Sequence, residues 1–262
     1  MTAARIMPTL FVGHGSPMNA IEDNEFSRSW RMLAGRLPRP RTILCVSAHW
    51  QTEGVAVTAD TRPATIHDFY GFPYAHFAVD YPAPGDPALA QRIAAFLAPT
   101  PVRLAQDWGL DHGTWSVLRI LYPEADIPVL QLGLDTRQPG RFHGDLARRL
   151  APLRDEGVLV VGSGNIVHNL RFYWRDNPPP LDWADRFDGA VRARIASGDL
   201  AALCDYEKLG PDARLAVPTP EHYLPLLYVL ALRRSTDRLS FFNTVVTSAI
   251  SMTSVLLEPA AG

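Results

Sequence analysis

Short apolar runs alternate with amphipathic segments along this chain, and the alternation limits what it can fold into. Residues 9–12, 42–48 and 158–161 are apolar almost throughout, with no alternation of polar and apolar positions. Continuous hydrophobicity of this length is typical of strands covered on both faces of a parallel sheet. The intervening segments 24–37 and 87–97 carry apolar residues three and four positions apart, which is helical spacing. The pattern therefore predicts an α/β fold with a mostly parallel central sheet and helices on both faces.

No change of composition or linker divides the 262 residues, so residues 1–262 are expected to form a single domain. Residues 60–86 are irregular and rich in aromatic side chains, which is typical of a functional loop. The other predicted elements are strands at 54–58, 128–132, 239–242 and 250–257, and helices at 114–121, 140–153, 183–197, 200–206 and 218–232.

Composition and charge exclude several classes of partner. The net charge of −2 gives no basic surface for nucleic acid or for an anionic membrane. The apolar runs are shorter than the roughly 18 residues that a membrane span needs, and no secretion signal is recognisable. Cys45 and Cys204 do not make a disulfide framework, so a cytoplasmic location is expected.

The histidines carry the clearest chemical signal. His14, His49 and His168 stand at or just beyond the carboxyl ends of predicted strands, where α/β sheets bind ligands. His112 and His222 stand at turns marked by glycine or proline. This placement favours a divalent metal site, although scattered structural histidines remain an alternative. Without a cysteine pair, the natural form of such a site is catalytic, with three ligands and open positions.

Other chemistries find less support in the sequence. The stretch 13–17 does not match a nucleophile elbow, and Gly162-Ser163-Gly164 lacks the wider pattern of a phosphate or dinucleotide cradle. His67 and His76, in the long loop, are expected at the surface or in structural hydrogen bonds. His143, at the start of an arginine-rich helix, is expected to be solvated.

Six motifs, in order along essentially the whole chain, resemble the 4,5-DOPA extradiol dioxygenase family. That family belongs to the class III extradiol ring-cleavage dioxygenases. The motifs are Gly13-His14-Gly15-Ser16-Pro17, Ser47-Ala48-His49-Trp50, Asp68-Phe69-Tyr70-Gly71-Phe72-Pro73, Leu110-Asp111-His112-Gly113-Thr114-Trp115, Gly162-Ser163-Gly164-Asn165 with His168-Asn169-Leu170, and Pro218-Thr219-Pro220-Glu221-His222-Tyr223.

The resemblance implies metal ligands at His14, His49 and His222. It implies that His168 is either an acid/base or a fourth ligand, and that His112 lies beside the ligands or faces the substrate. The implied metal is Fe(II), with Zn(II) possible in the same site. The implied reaction inserts O₂ into a small aromatic diol, a DOPA-like catechol, and gives a ring-opened semialdehyde.

Two features near the implied site have alternative interpretations. Glu221 and His222 are adjacent at a helix start and point about 100° apart, so only one can face a metal. The motif favours His222, and Glu221 is then expected to be a charge at the helix N-terminus or a partner of the metal ligand. Phe69, Tyr70 and Phe72 are expected to wall the ring pocket with Tyr223 at its rim, although simple core packing is an equal alternative.

Two other functions fit the same residues. One is a zinc-dependent hydrolase in which His168 or Glu221 activates water; the other is a binding module that has lost its metal. The sequence indicates neither the natural catechol nor the oligomeric state, for which a monomer and a homodimer both remain open.

Overall fold

The computed structural model describes residues 6–71, 74–173 and 181–260. Phe72 and the side chain of His76 lie outside the described part of the chain, so the structure does not bear on their predicted roles.

The strands of the described chain are β1 Thr9–Gly13, β2 Thr42–Gln51, β3 Val55–Thr58, β4 Val102–Ala105, β5 Val129–Leu134, β6 Val158–Gly164, β7 Arg238–Phe242, β8 Val246–Thr247, β9 Ile250–Ser251 and β10 Ser254–Glu258. Eight of them form a central sheet in the order β4-β3-β5-β2-β6-β1-β10-β7, and β8 and β9 form a separate hairpin.

The four central strands β5, β2, β6 and β1 are parallel, as the continuous apolar runs predict. Antiparallel pairing begins on both sides of this block, at β3 with β5 and at β1 with β10. The sheet is therefore mixed, and its parallel centre brings the carboxyl ends of β1, β2 and β6 to one edge.

Helices cover both faces of the sheet, which confirms the predicted layering. Trp30 of α1 and Trp115 of α4 pack on one face, whereas Leu146 of α5, Val191 of α7 and Leu227 of α10 pack on the other. The helices are α1 Glu25–Ala34, α2 Tyr74–Phe77, α3 Pro87–Phe96, α4 His112–Leu121, α5 Gly140–Arg148, α6 Leu170–Tyr173, α7 Asp182–Ser197, α8 Leu200–Cys204, α9 Ala213–Ala216 and α10 Leu224–Ala231. Within the described ranges, none of these is long and apolar enough to cross a membrane.

Several predicted bounds are wrong for local reasons. The helix predicted over 140–153 ends at Arg148, and a 3₁₀ helix at Ala151–Glu156 follows; Pro152, in its first turn, has no amide hydrogen to continue the α-helical bonding. The strand predicted over 250–257 is two strands, β9 and β10. Strand β4 was not predicted because only its last residue is buried and its sequence is not an apolar run.

The prediction that His143 is solvated is wrong. Its side chain is 1% exposed, with Nδ1 3.0 Å from the Tyr228 hydroxyl and Nε2 3.2 Å from the Asp135 carbonyl oxygen. Burial lowers the pKa of His143 to about 4. It is a neutral core residue because α5 turns the face bearing Leu146 and Ala147 toward the sheet.

Candidate metal centre

Five histidines converge at the carboxyl edge of the parallel strands, around one cavity of about 190 Å³. The cavity also has an apolar wall made by Pro17, Phe69, Leu170, Tyr173 and Ile250. Each histidine comes from a different part of the chain. His14 directly follows β1, His49 lies near the end of β2, His112 begins α4, His168 follows β6, and His222 lies in the turn before α10.

His14 is held by a serine on the neighbouring strand. Its Nδ1 lies 2.9 Å from Ser163 Oγ, and the Ser163 hydroxyl donates to the Gly113 carbonyl oxygen at 2.6 Å. Burial, reinforced by His49 and the other histidines, lowers the pKa of His14 well below its ordinary value. His14 is therefore a neutral imidazole, the form that binds metals.

Asp68 lies against both His49 and His112. Its Oδ2 is 3.4 Å from His49 Nδ1, and its Oδ1 is 2.9 Å from His112 Nδ1, although without hydrogen-bond alignment. Oδ1 also accepts the His112 backbone N–H at 2.9 Å. Burial, followed by the proximity of His112, lowers the pKa of His49 to about 3. The carboxylate thus occupies the Nδ1 side of both rings and favours a proton on Nδ1 of His49.

Buried Asp111 fixes the start of α4, and with it His112. Its carboxylate accepts hydrogen bonds from Ser47 Oγ at 2.7 Å, Gln131 Nε2 at 2.6 Å and the Thr114 N–H at 3.1 Å. The same Ser47 hydroxyl oxygen accepts the His49 N–H at 3.3 Å. One carboxylate therefore connects the end of β2, strand β5 and the first turn of α4.

His222 and His168 form a stacked pair. Their ring centres are 3.4 Å apart and their planes differ by 8°. Glu221 Oε1 lies 3.1 Å from His222 Nδ1 and accepts a hydrogen bond from the Thr219 hydroxyl at 2.8 Å. Glu221 is therefore a neighbour that can orient His222 through Nδ1.

The donor atoms fit a divalent ion. His14 Nε2 and His49 Nε2 are 3.3 Å apart. This distance agrees with two nitrogens bound to one ion at about 2.1 Å, which lie about 3.0 to 3.4 Å apart when the nitrogen–metal–nitrogen angle is between a right angle and a tetrahedral angle. With Nδ1 of His14 bonded to Ser163 and Nδ1 of His49 facing Asp68, the two Nε2 lone pairs face each other. A cation bound by both nitrogens would replace this repulsion with attraction.

Ring separations distinguish among the possible third ligands. Imidazoles sharing one ion have ring centres about 4.5 Å apart at a right angle and about 5.2 Å apart at a tetrahedral angle. The centres of His14, His49 and His222 are 5.1, 5.1 and 5.4 Å apart. The centres of His49 and His112 are only 3.8 Å apart. The separations among His14, His49 and His222 are close to those of rings that share one ion, whereas His49 and His112 are too close together for two rings bound to one ion.

Donor proximity alone groups the side chains differently. Ligand atoms within 4.8 Å of one another belong to His14, His49 and His112, and in a second group to His168, Glu221 and His222. The stacking limits the second group, because the lone pair of an imidazole nitrogen lies in the ring plane. Two nearly parallel rings placed face to face cannot direct their lone pairs at one ion.

The residues predicted to contact the substrate lie in three different environments. Phe69 lines the cavity. Tyr70 is 91% exposed and does not line the described cavity. Tyr223, predicted at the rim, lies instead in the core, fully buried, with its hydroxyl donating to the Leu203 carbonyl oxygen at 3.1 Å.

Three other residues at the site were not assigned roles from sequence. Ser163, Asp68 and Asp111 all lie inside quoted motifs, next to histidines or glycines, but their contacts depend on segments far apart in the chain. The cavity wall at Tyr173 and Ile250 carries no recognisable sequence signal.

An α/β fold with five histidines converging on a small apolar-walled cavity is typical of metal-dependent enzymes with a histidine-rich centre. Residues 8–253 match the family described as the catalytic LigB subunit of aromatic ring-opening dioxygenase. The chain belongs to this family, and it is an aromatic ring-opening dioxygenase of the extradiol type.

Individual relatives agree with the family. The chain is 52% identical to 4,5-DOPA dioxygenase extradiol of Escherichia coli K12 over 86% of this chain and 84% of the relative. It is 40% identical to the protein of the same name from Beta vulgaris, over 84% of this chain and 85% of that one. The crystal structure of an uncharacterized protein from Escherichia coli K12 matches with a TM-score of 0.82 and 44% identity, covering 95% of this chain and 99% of that one.

Proposed function

We propose that this protein cleaves a DOPA-like catechol beside its two hydroxyl groups, consuming O₂ and releasing a ring-opened semialdehyde. The observation that carries the proposal is the triangle of His14, His49 and His222, whose ring centres lie 5.1 to 5.4 Å apart beside an apolar cavity. The names of the bacterial and plant relatives support the substrate class.

The proposed metal is Fe(II), with Zn(II) able to occupy the same nitrogens. Iron(II) in such a site supplies Lewis-acid activation of the diol and electron transfer toward O₂. His14, His49 and His222 are proposed as the three ligands. Because all three are neutral, the site keeps the full charge of the cation, and that charge attracts an anionic catecholate.

His168 is proposed as the base that accepts a hydroxyl proton. It lines the cavity, and its stacking against His222 prevents the two rings from binding one ion. Burial lowers the pKa of His168 to about 4, so the ring is unprotonated at neutral pH, which is the state that a base requires. Its position beside a ligand ring places it next to any diol bound there.

His112 is proposed as the residue that orients the bound diol or O₂. It lines the cavity, and its Nδ1 side faces Asp68, which leaves Nε2 for a ligand. The backbone N–H of His112 is tied to the same carboxylate, so the ring is fixed before the substrate arrives. Such preorganisation reduces the entropic cost of reaching the reactive geometry.

The size and chemistry of the cavity support a single-ring substrate. Its volume of about 190 Å³ is below the roughly 300 to 1,000 Å³ of sites for drug-sized ligands. Phe69, Leu170 and Ile250 supply the apolar surface that a benzene ring requires, and the histidines line the same cavity. The buried free thiols Cys45 and Cys204 are compatible with the proposed cytoplasmic setting.

The test is a panel of catechols assayed with protein loaded anaerobically with Fe(II). We expect one O₂ consumed per ring opened, followed with an oxygen electrode and by the absorbance of the semialdehyde. The Zn(II)-loaded protein serves as the matched control and should consume no O₂. Ester or amide hydrolysis by the Zn(II) form, with no O₂ uptake by the Fe(II) form for any catechol, would overturn the proposal.

A further inference from the structure

Ser163 has no role in the proposed chemistry, yet it makes two short contacts at the centre of the site. It is fully buried near the carboxyl end of β6, opposite Val12 of β1 and Ser47 of β2. Its Oγ lies 2.9 Å from His14 Nδ1 and 2.6 Å from the Gly113 carbonyl oxygen.

The direction of these hydrogen bonds follows from the atoms involved. A serine hydroxyl has one hydrogen, and a carbonyl oxygen can only accept. The Ser163 hydrogen is therefore used on Gly113, and toward His14 the Ser163 oxygen acts as an acceptor. His14 must then carry its proton on Nδ1, which leaves Nε2 with the lone pair that faces His49 Nε2 at 3.3 Å.

The surrounding backbone keeps Ser163 in this position. A Cβ atom at Gly162 would lie 2.5 Å from the Pro225 carbonyl oxygen, and one at Gly164 would lie 2.1 Å from the His222 carbonyl oxygen. The end of β6 is thus in direct backbone contact with the segment that carries His222. Ser163 has little freedom to shift, so the direction it imposes on His14 is well defined.

We propose that Ser163 is a positioning residue that fixes the tautomer and direction of the His14 ring and thereby increases the affinity of the site for a divalent metal. The effect on affinity rests on the proposed role of His14 as a ligand. The effect on the tautomer does not, since it follows from the hydrogen bonds of the protein itself.

The test compares Ser163→Ala with Ser254→Ala. Ser254 is an equally buried serine whose hydroxyl accepts the Gly13 N–H and donates to the Met252 carbonyl oxygen, each at 3.0 Å, without contacting the His14 ring. Two readouts are used: ring ¹⁵N shifts in metal-free protein labelled at histidine, with His14 assigned from a His14→Gln spectrum, and Zn(II) affinity from calorimetry with a competing chelator.

For Ser163→Ala we expect His14 to lose its single Nδ1–H tautomer and Zn(II) affinity to fall by about 10- to 100-fold, the range for residues that orient a metal ligand. For Ser254→Ala we expect the wild-type tautomer and an affinity within about two-fold of wild type.

An unchanged tautomer and affinity in Ser163→Ala would overturn the inference, and so would an equal loss of affinity in Ser254→Ala. The two proposals fail separately. If His14→Gln binds Zn(II) as tightly as wild type, the proposed ligand set is wrong. If His14→Gln loses Zn(II) but Ser163→Ala does not, only the role of Ser163 is wrong.

Discussion

His143 and His14 are both buried histidines, but their nitrogens are used in opposite ways. His143 has both ring nitrogens within hydrogen-bond distance of protein atoms, at 3.0 and 3.2 Å. His14 has Nδ1 against Ser163 at 2.9 Å, while Nε2 faces another histidine at 3.3 Å. In His143 both ring nitrogens are used within the core, whereas in His14 the Nε2 lone pair is left free to bind a metal at the cavity.

A structural histidine is therefore distinguished from a candidate ligand less by its burial than by how many of its ring nitrogens already have a hydrogen-bond partner. Asp68 on the Nδ1 side of His49 and Glu221 on the Nδ1 side of His222 repeat the pattern of His14 with a carboxylate in place of the serine. Holding one nitrogen and exposing the other is the usual way that proteins orient histidine ligands.

Replacing a proposed ligand should have the largest effect. We expect His49→Ala to lower Fe(II) or Zn(II) affinity by more than about 100-fold and to abolish ring cleavage, because a lone pair at the centre is lost. His143→Ala is the matched control and should keep metal and turnover in whatever fraction folds. Elemental analysis after gel filtration measures the metal content of both variants. Retention of metal by His49→Ala would contradict the proposal that His49 is a ligand and His143 is not.

His168→Ala should separate binding from chemistry. We expect metal content to remain at the wild-type level while kcat falls by about 10²- to 10⁴-fold, the contribution typical of a positioned acid or base. Stopped-flow measurement of semialdehyde formation, together with metal analysis of the same samples, gives the answer. Loss of metal equal to that of His49→Ala would make His168 a ligand and contradict the stacking argument.

The pH dependence of stability should carry the signature of His143. A free histidine has a pKa near 6.5, whereas burial lowers that of His143 to about 4. Between these pH values the unfolded chain binds a proton at His143 that the folded protein does not, so the contribution of His143 to stability is retained above pH 6.5 and falls by on the order of 3 kcal/mol as the pH drops to 4.

We therefore expect His143→Gln to lose less stability than wild type between pH 7 and pH 4.5. Urea unfolding of metal-free protein at several pH values measures this. Tyr228→Phe removes the hydroxyl partner of His143 but leaves the His143 ring able to titrate. This variant should therefore retain most of the pH dependence of stability. Equal slopes for wild type and His143→Gln would show that other histidines account for the whole effect.

Gly113→Ala should disturb the site by crowding the side chains of Ser47 and His49. A Cβ there would lie 2.5 Å from Ser47 Oγ and 2.8 Å from His49 Cδ2, so His49 or the start of α4 must move, at a cost of about 1 to 3 kcal/mol. We expect weaker metal binding as well as lower stability. Gly189→Ala is the control, since a Cβ at Gly189 meets nothing within 4 Å; equal metal affinity in both variants would contradict this prediction.

Tyr70→Ala should change stability and catechol turnover less than any of the substitutions above. The Tyr70 side chain is 91% exposed, and surface substitutions usually change stability by less than about 0.5 kcal/mol. Phe69→Ala, which removes a cavity wall, should instead raise KM for a catechol. Steady-state kinetics on both variants compares the two neighbours, and a larger effect at Tyr70 would place that ring at the substrate.

The sequence predicted well those parts of the fold where one residue type repeats over several positions. The centres of β1, β2 and β6 follow from continuous apolar runs, and the positions of His14 and His49 at strand ends follow with them. The orientation of β10 against β1 could not be predicted, because a closing strand has the same apolar pattern in either direction.

Residues whose surroundings come from distant segments were harder to place. The arginines of α5 suggested that His143 is solvated, yet Leu146, Ala147 and Leu150 follow it at three, four and seven positions, which is the spacing of a core face. Tyr223 precedes an apolar helix, and nothing local separates a rim position from the core. The contact between Ser163 and His14 spans 149 positions, so no local pattern encodes it.

The two halves of the cavity differ in how readily they can evolve. Around the histidines, main-chain atoms lie against Gly13 and Gly164, and the side chains of Ser47 and His49 lie against Gly113, so a side chain added at any of these glycines displaces backbone or a donor ring. The apolar wall of the cavity is made of ordinary side chains, Phe69, Leu170 and Ile250, which substitution can enlarge or reshape. New substrates would therefore be acquired through this wall, with the donor half inherited unchanged.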